Sequence, residues 1–386
     1  MADFNKKATV SITSPLGLAP YLEKEITELG FDINNIRNTG LEITASLNDC
    51  IRLNYLLRTA HRVHYLIDEI VVQNPDKLRN WIKSMPWEEW IQEDGYFSVT
   101  SRVDHPAIDN DQYANLVVKD AIADRIRFKK GQRPDSGSDL HQSVVFLYWT
   151  QEKARIFVDT SGESLSRRNY RSASSSAPMQ ETLAAGIIEA TNWSPGQHFI
   201  NPMTGGGTLV IEAVMKALNR APASLRNNFG FMYIPGFDAS IYQAVRDQAN
   251  KQALKETNGK FIATDNDPNA IIIAQKNAQT AGVEHLIDFE TCDITETTVP
   301  EGSGVVVVNP PYGIRLNENR DLRPLYKDIG DFMKTNCTGK TGYVFTGNLQ
   351  LAKKIGLRPK SRTRFFNSTI ECRLFEYPLY SGTRKN

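Results

Sequence analysis

The 386-residue chain predicts an α/β protein, with a doubly wound, mainly parallel sheet in its C-terminal half and smaller α+β modules before it. Three observations carry that reading. Short apolar runs at 197–201, 260–265, 286–291, 304–308 and 341–346 are in several places separated by helical stretches at 209–218, 268–281 and 325–335. Strands buried on both faces, alternating with crossover helices, have this pattern. Upstream of residue 160, strands and helices are shorter and mixed. The length itself, at roughly 150 residues per domain, implies two or three domains.

Hydrophobic residues at 40%, charged residues at 23% and a mean hydropathy of -0.39 are globular values. They exclude disordered, collagen-like and coiled-coil chains. No window offers about 18 uninterrupted apolar residues. The opening MADFNKKATVSITSP lacks the apolar run of about 7 to 15 residues that a secretory signal needs, so a cytoplasmic protein without membrane contact is expected. Cys50, Cys292, Cys337 and Cys372 are too scattered for a zinc set or a redox pair. Reduced, mostly buried thiols and no metal are expected. The net charge of +1 hides an asymmetry: 19 Lys+Arg against 24 Asp+Glu in residues 1–165 leave -5, and the remaining 26 against 20 leave +6. An anionic partner favours the second half.

Taken in order, ATVSIT opens as a strand, Ser14-Pro15 turns the chain, and residues 20–29 form a helix with Leu22, Ile26 and Leu29 on one face. A strand pair follows over 33–47, then a helix marked by Ile51, Leu53, Leu56 and Leu57 that ends near Arg58. Strands at HYLIDEIVV, YFSVTSRV, SVVFLYWT and KARIFVDT, with helices at 75–83 and 112–127, make a second α+β module. Residues 162–177, rich in Ser and Arg, lack core periodicity and read as an interdomain connection. In the doubly wound region, 220–258 reads as an insertion, and TRFFNSTIECRLFEY as a closing hairpin about Asn367-Ser368.

The chemistry gathers at strand ends. After QHFIN comes Asn201-Pro-Met-Thr-Gly-Gly-Gly-Thr208, leading into a helix; its glycines let backbone approach a ligand at the first crevice, where open α/β sheets bind nucleotides. KFIATD ends at Asp265, whose carboxylate can accept from two ribose hydroxyls, whereas Asp267-Pro268 caps and starts the next helix. Cys292-Asp293-Ile294 presents Asp293 to the exocyclic amine of an adenine. Most specific is Asn309-Pro310-Pro311-Tyr312-Gly313, directly after four valines, where two prolines hold a rigid turn. The Asn309 side-chain carbonyl and the Pro310 main-chain carbonyl make an acceptor pair for the two hydrogens of an exocyclic amine, and Tyr312 offers a stacking face. Two directed acceptors pull a conjugated amine toward pyramidal geometry and expose its lone pair, so methylation at nitrogen becomes feasible. Singly, a glycine turn, a strand-end acid and a Pro-Pro-Tyr loop are ordinary structure; their succession points to a site.

PMTGGGTLVIEA, ATDNDPNAIIIAQKNAQTAGV and VVVNPPYGIRL, in this order, resemble the THUMP-domain methyltransferases that use S-adenosylmethionine to make N2-methylguanine in 23S ribosomal RNA. SITSPLGLAPYLEKEITELGF, LNYLLRTAHRVHYLI, APMQETLAAGII and FFNSTIECRLFEY extend the resemblance over nearly the whole chain. It implies a ferredoxin-like segment at 1–60, a THUMP RNA-binding domain at 61–165 and a class I, Rossmann-like methyltransferase domain at 166–386. It implies S-adenosylmethionine as cofactor, contacted by Pro178, Glu181, Asn201, Met203, Thr204, Gly205, Gly206, Gly207, Thr208, Asp265, Asn266, Asp293, Ile294 and Asn309. Asn309, Pro310, Pro311 and Tyr312 would hold the target base. Asn201 stands where the family usually has Asp, Gly206 where Ser is usual, and Ser368 where Gly usually follows Asn.

An RNA partner, 23S rRNA or the pre-50S particle, makes two basic clusters candidates. Arg125, Arg127, Lys129, Lys130 and Arg133 follow a helix; Arg167, Arg168, Tyr170 and Arg171 lie on the connection, with Tyr170 available to stack. His61 and His64 have no further His or Cys nearby to complete a metal site. Two other readings stay open. An adenine-N6 methyltransferase would use the same Asn-Pro-Pro-Tyr turn, and a non-catalytic RNA-binding ribosome-assembly factor is suggested by Asn201 and Gly206.

Overall fold

The computed structural model describes residues 1–92, 95–106, 108, 110–150, 153–172, 179–313 and 321–380. The chain divides into two compact units, and neither is continuous in sequence. One comprises Met1–Ser14, Leu22–Leu165 and Arg226–Gln248; the other Pro15–Tyr21, Ser166–Leu225 and Ala249–Asn386.

In the first unit, β1 (Lys7–Thr13), β2 (Ile33–Arg37), β3 (Gly40–Ser46), β4 (Arg62–Ile70), β5 (Tyr96–Val103), β6 (Asp135–Gly137), β7 (Ser143–Trp149) and β8 (Ala154–Asp159) form one sheet in the order β2-β3-β1-β4-β8-β7-β5-β6. The sequence suggests two separate modules here; their strands join because β4 pairs with β1 on one side and β8 on the other. The helices are α1 (Ala19–Glu28), whose first turn up to Tyr21 is assigned to the other unit, α2 (Leu47–Leu56), α3 (Pro75–Ser84) and α4 (Asp111–Lys130). Their ends are set by side chains: Ser46 and Asp49 form a capping box at α2, Asn110 caps α4, and Gly131, at φ 81°, ends it. Leu78 and Ile82 of α3 and Val118 and Ile122 of α4 share a core with Val145, Leu147 and Trp149. Residues 226–248, part of the 220–258 stretch read as an insertion, complete this unit. Arg226 donates to the carbonyls of Ser161, Glu163 and Ser164 at 3.2, 3.1 and 2.7 Å, and the ring of Tyr242 meets Tyr55 edge-on.

The second unit contains α5 (Glu181–Glu189), β9 (His198–Pro202), α6 (Thr208–Ala217), β10 (Phe261–Asp265), α8 (Pro268–Ala281), β11 (Ile287–Thr291), β12 (Gly304–Val308), α9 (Arg323–Asn336), β13 (Thr341–Thr346), α10 (Leu349–Ala352), β14 (Ser361–Asn367) and β15 (Ile370–Pro378), while α7 (Ala239–Gln252) runs across the division between units. The sheet order is β11-β10-β9-β12-β13-β15-β14; the first five strands are parallel and the closing hairpin is antiparallel. Alternation explains the four valines: Val305 and Val307 enter the core with Phe199 and Val210, Val306 and Val308 the opposite core with Ile200 and Ile329. From β9 the chain builds outward through β10 to β11, then returns to place β12 on the other side of β9. The order therefore reverses between β9 and β12, the point at which such sheets open a crevice.

Residues 15–21 belong to this second unit although they lie far upstream. Leu18 is fully buried with Leu183, Ile187 and Phe365, Gly186 leaves no room for a Cβ beside it, and Tyr21 stacks on Phe365 at 5.9 Å. All four cysteines are free and three are buried. No helix among the described residues is long and apolar enough to cross a membrane.

The hairpin turns as expected, with Asn367 opposite Ile370, and Ser368 takes φ 57°. An L-residue in this left-handed region costs roughly 1–2 kcal/mol, which accounts physically for the glycine usual there. Ser368→Gly is expected to stabilise the protein by about 1 kcal/mol, read as a raised Tm; an unchanged or lower Tm would show that the serine relieves the turn in another way.

Candidate active site

The loop after β9 turns sharply into α6: Met203, Gly205 and Gly207 all have positive φ, at 58, 54 and 80°. A Cβ on Gly207 would lie 3.0 Å from that of Ala274, whereas nothing lies within 4 Å of the place a Cβ would take on Gly205. The loop is thus closed against α8 and open at Gly205, the shape that backbone recognition of a nucleotide requires. Asp265, at the end of β10, accepts from the Gly205 N–H on Oδ2 at 2.9 Å and from the Asp267 N–H on Oδ1 at 3.1 Å. It steadies the loop, and its two oxygens retain further lone pairs. Asp267 caps α8 through the Asn269 N–H, with Pro268 in the first turn. Asp267 is thus the helix cap and Asp265 the acceptor that holds the loop.

Asn201 corrects an expectation. Its side chain is buried and faces the sheet: Nδ2 donates to the Val307 carbonyl at 2.8 Å, and Oδ1 accepts from Thr204 Oγ1 at 2.9 Å. It fastens β9 to β12 at the crevice instead of reaching toward a ligand, and an ionised aspartate could not make the first of these bonds. Gly206 has no positive φ, and a Cβ there would meet Asn277 Nδ2 and Ile273 Cγ2 at an ordinary 3.6 Å, so a serine would fit the same backbone. Thr208 accepts from Arg171 at 3.4 Å, and Arg171 also pairs with Glu181 at 3.2 Å. Burial pushes the Glu181 carboxyl up, against the opposing pull of Arg171. Asn266 is exposed, Met203 half-buried and Ile294 buried. Asp293 is exposed and caps the turn Ile294–Glu296, with Oδ1 accepting from the Thr295 N–H and Oγ1 at 3.0 and 2.8 Å. Pro178 lies outside the described residues.

Directly after β12, the Tyr312 hydroxyl donates to Asn309 Oδ1 at 2.8 Å. Burial pushes the phenol above its ordinary value, so it stays protonated as a donor. That bond orients the Asn309 carboxamide and leaves Oδ1 a second lone pair. The next carbonyls are held from behind: Pro311 accepts from Tyr326 Oη at 3.2 Å and Tyr312 from Asn348 Nδ2 at 2.9 Å. The Pro310 carbonyl accepts no hydrogen bond among the described residues. The Tyr312 ring is half-buried and packs edge-on to Phe345, so its stacking surface is narrower than the sequence suggests.

The clusters expected to meet RNA divide. Tyr170 and Arg168 are each 1% exposed; the Tyr170 hydroxyl donates to Glu212 at 3.1 Å, and Arg168 lies 3.6 Å from the same carboxylate. With Arg171 held at Glu181, the connection is anchored on α5 and α6, and Arg168, Tyr170 and Arg171 are withdrawn as RNA contacts. Arg167 is exposed. In the other cluster Arg125 binds Glu88 at 2.8 Å, Arg133 binds Asp120 at 3.0 Å and Arg127 lies 3.6 Å from Asp124, whereas Lys129 and Lys130 are exposed at the end of α4. Sequence reasoning missed Phe128, 79% exposed among these bases, and Tyr326, Asn348 and Asn277. Asn277 had a signal, being a polar residue on the otherwise apolar face of Ala274, Ala278 and Ala281; Tyr326 and Asn348 act through tertiary contacts that leave no local pattern.

Residues 168–376 match the family described as RMKL-like, methyltransferase domain; 9–64 match the RlmL ferredoxin-like domain and 72–159 the THUMP domain. Two proteins named Ribosomal RNA large subunit methyltransferase K/L are similar to this chain: that of Syntrophotalea carbinolica is 34% identical over 95% of this chain and 53% of its own, and that of Psychromonas ingrahamii 36% identical over 95% and 50%. The chain spans about half the length of these curated relatives. The crystal structure of SMU.472, described as a methyltransferase complexed with SAH, has a TM-score of 0.87 at 25% identity and covers 98% of this chain and 100% of that one.

Proposed function

The chain belongs to the RMKL-like methyltransferase family, and from that membership we propose that it transfers a methyl group from S-adenosylmethionine to the exocyclic N2 amine of a guanine in 23S ribosomal RNA. The supporting observation is the fastening of β9 to β12 by Asn201, which sets the glycine loop and the Asn309–Tyr312 turn on neighbouring strands at the crevice. Adjacent parallel strands run about 5 Å apart, so groups bound at the two loops meet.

S-adenosylmethionine supplies an electrophilic methyl group when bound. Gly205 to Gly207 and Asp265 suit its nucleoside, the first by open backbone and the second by carboxylate oxygens. The residues of the turn act on the nucleophile: Asn309 Oδ1 and the Pro310 carbonyl accept the amine hydrogens, and Tyr312 fixes the direction of Oδ1 through its hydroxyl. Asn309 does not titrate and the phenol stays protonated, so the turn orients the amine without removing its proton. Nucleoside mass spectrometry of 23S rRNA treated with the full chain is expected to find N2-methylguanosine. N6-methyladenosine would replace the guanine reading, and RNA binding without methyl transfer would favour an assembly factor.

Recognition of RNA is supported by the end of α4, where Phe128 stands exposed between Arg127 and Lys129. Phe128→Ala is expected to weaken binding of a single-stranded rRNA fragment by about 1–3 kcal/mol without changing its salt dependence. Lys129→Ala should instead lower the salt slope by about 1. Filter binding at several salt concentrations separates the two, and equal affinity in wild type and both variants would remove α4 from the RNA surface.

A further inference from the structure

We propose that Asn277 is the positioning residue of the cofactor loop and that it ties cofactor occupancy to the chain at Ser172. This rests on the reading of the glycine loop as the S-adenosylmethionine site. Asn277 is 2% exposed on α8, and its carboxamide is used at both ends: Nδ2 donates to the Gly206 carbonyl at 3.0 Å, and Oδ1 accepts from the Ser172 N–H at 3.1 Å. A carboxamide is the uncharged side-chain group that offers a donor and an acceptor from one plane. Ser172 is held to the same helix a second time, its Oγ accepting from Thr280 Oγ1 at 3.3 Å.

The consequence lies in the loop's peptide planes. The plane between Gly206 and Gly207 is pinned at both edges, its carbonyl by Asn277 and its N–H by the Thr204 carbonyl at 3.0 Å. The Gly205 N–H is taken by Asp265. Between these fixed points the Gly206 N–H donates to no partner among the described residues, so the frame that Asn277 completes leaves one backbone donor for a ligand. Three glycines would otherwise sample many conformations, and each would have to be given up on binding. Asn277 removes that freedom in advance. Because the same carboxamide holds Ser172, a ligand that stills the loop also stills the Ser172 amide.

The test uses the full-length chain, S-adenosylmethionine and rRNA. Asn277→Ala removes the bonds to Gly206 and Ser172. Asn277→Asp is isosteric, keeps the acceptor for Ser172 and loses the donor for Gly206. Ser172→Pro removes the N–H that Asn277 accepts and, with the hydroxyl, the bond from Thr280, but leaves the Asn277 bond to Gly206 in place. Both Asn277 variants are expected to raise Kd and KM for S-adenosylmethionine about tenfold, the effect of one hydrogen bond plus restored loop freedom, with kcat at saturating cofactor unchanged. Ser172→Pro should raise them less. Hydrogen exchange of the peptide containing Ser172 should slow on cofactor binding in the wild type and not in Asn277→Ala. The split between KM and kcat distinguishes positioning from general damage, and Asn277→Asp preserves shape if the alanine variant unfolds. Unchanged cofactor affinity in a folded Asn277 variant overturns this inference and leaves the site assignment standing. A wild type that does not bind S-adenosylmethionine overturns both.

Discussion

Asn309→Ala is expected to slow methyl transfer by about 100-fold, the scale on which removal of one preorganised hydrogen-bonding group acts on a reacting centre. The loss should appear in single-turnover assays on rRNA at saturating S-adenosylmethionine, with little change in cofactor affinity, because the glycine loop and Asp265 are untouched. Tyr312→Ala should fail differently: it removes the stacking surface, worth about 1–3 kcal/mol per base, and so mainly weakens capture of a flipped-out base. Tyr312→Phe is the sharper probe. It keeps the ring and removes only the hydroxyl bonded to Asn309 at 2.8 Å, so chemistry should slow about fivefold, the worth of a hydrogen bond near 1 kcal/mol, at unchanged RNA affinity. Full chemical rate in Asn309→Ala would exclude the turn as the group that orients the amine.

Asp265→Ala is expected to raise the Kd for S-adenosylmethionine by about 100-fold or more, since two hydrogen bonds to a charged group contribute about 1.5–3 kcal/mol each. The effect has a second source, because the variant also frees the Gly205 N–H that Asp265 holds. Asp267→Ala loses the cap of α8 and about 0.5–2 kcal/mol of stability, with cofactor affinity nearly intact. Calorimetry on both proteins decides the matter. Equal losses of affinity in folded variants would mean that the two acids share one role.

The doubly wound sheet was legible because its strands are buried on both faces and its helices carry their own end signals. The Asp267-Pro268 start of α8 and the Asn367-Ser368 hairpin lie where local chemistry puts them. The site was legible at the strand ends, where glycines, an acid and a double proline break the apolar pattern. What escaped depends on contacts distant in sequence. Arg168, Tyr170 and Arg171 show no periodicity because they are satisfied by tertiary partners, the first two at Glu212 and the third at Glu181 and Thr208, so anchored residues read as part of a solvated linker. Asn201 was read from its place in a motif, and only the β9–β12 pairing shows that its amide is used inside the sheet. Tyr326 and Asn348, which hold the Asn309–Tyr312 turn from behind, look like an ordinary helix residue and an ordinary cap until the Pro311 and Tyr312 carbonyls are brought to them.

The discontinuity of the two units bears on how the chain is made. Leu18 leaves the ribosome early, but Leu183 and Phe365, which bury it, follow far later; at roughly 5–20 residues per second the apolar segment waits tens of seconds for its place. The first unit also stays incomplete until residues 226–248 emerge, by which time only β9 of the second sheet's seven strands has been made. Synthesis therefore cannot deliver two finished halves in turn: the first unit closes only after part of the second has emerged, and the core around Leu18 waits for Phe365. The same weave resists evolutionary and laboratory cutting. A fragment starting at residue 166 would lack the leucine that fills its core, and filling of that kind contributes about 2–5 kcal/mol, so grafting another N-terminal unit onto the second one requires carrying residues 15–21 along with it.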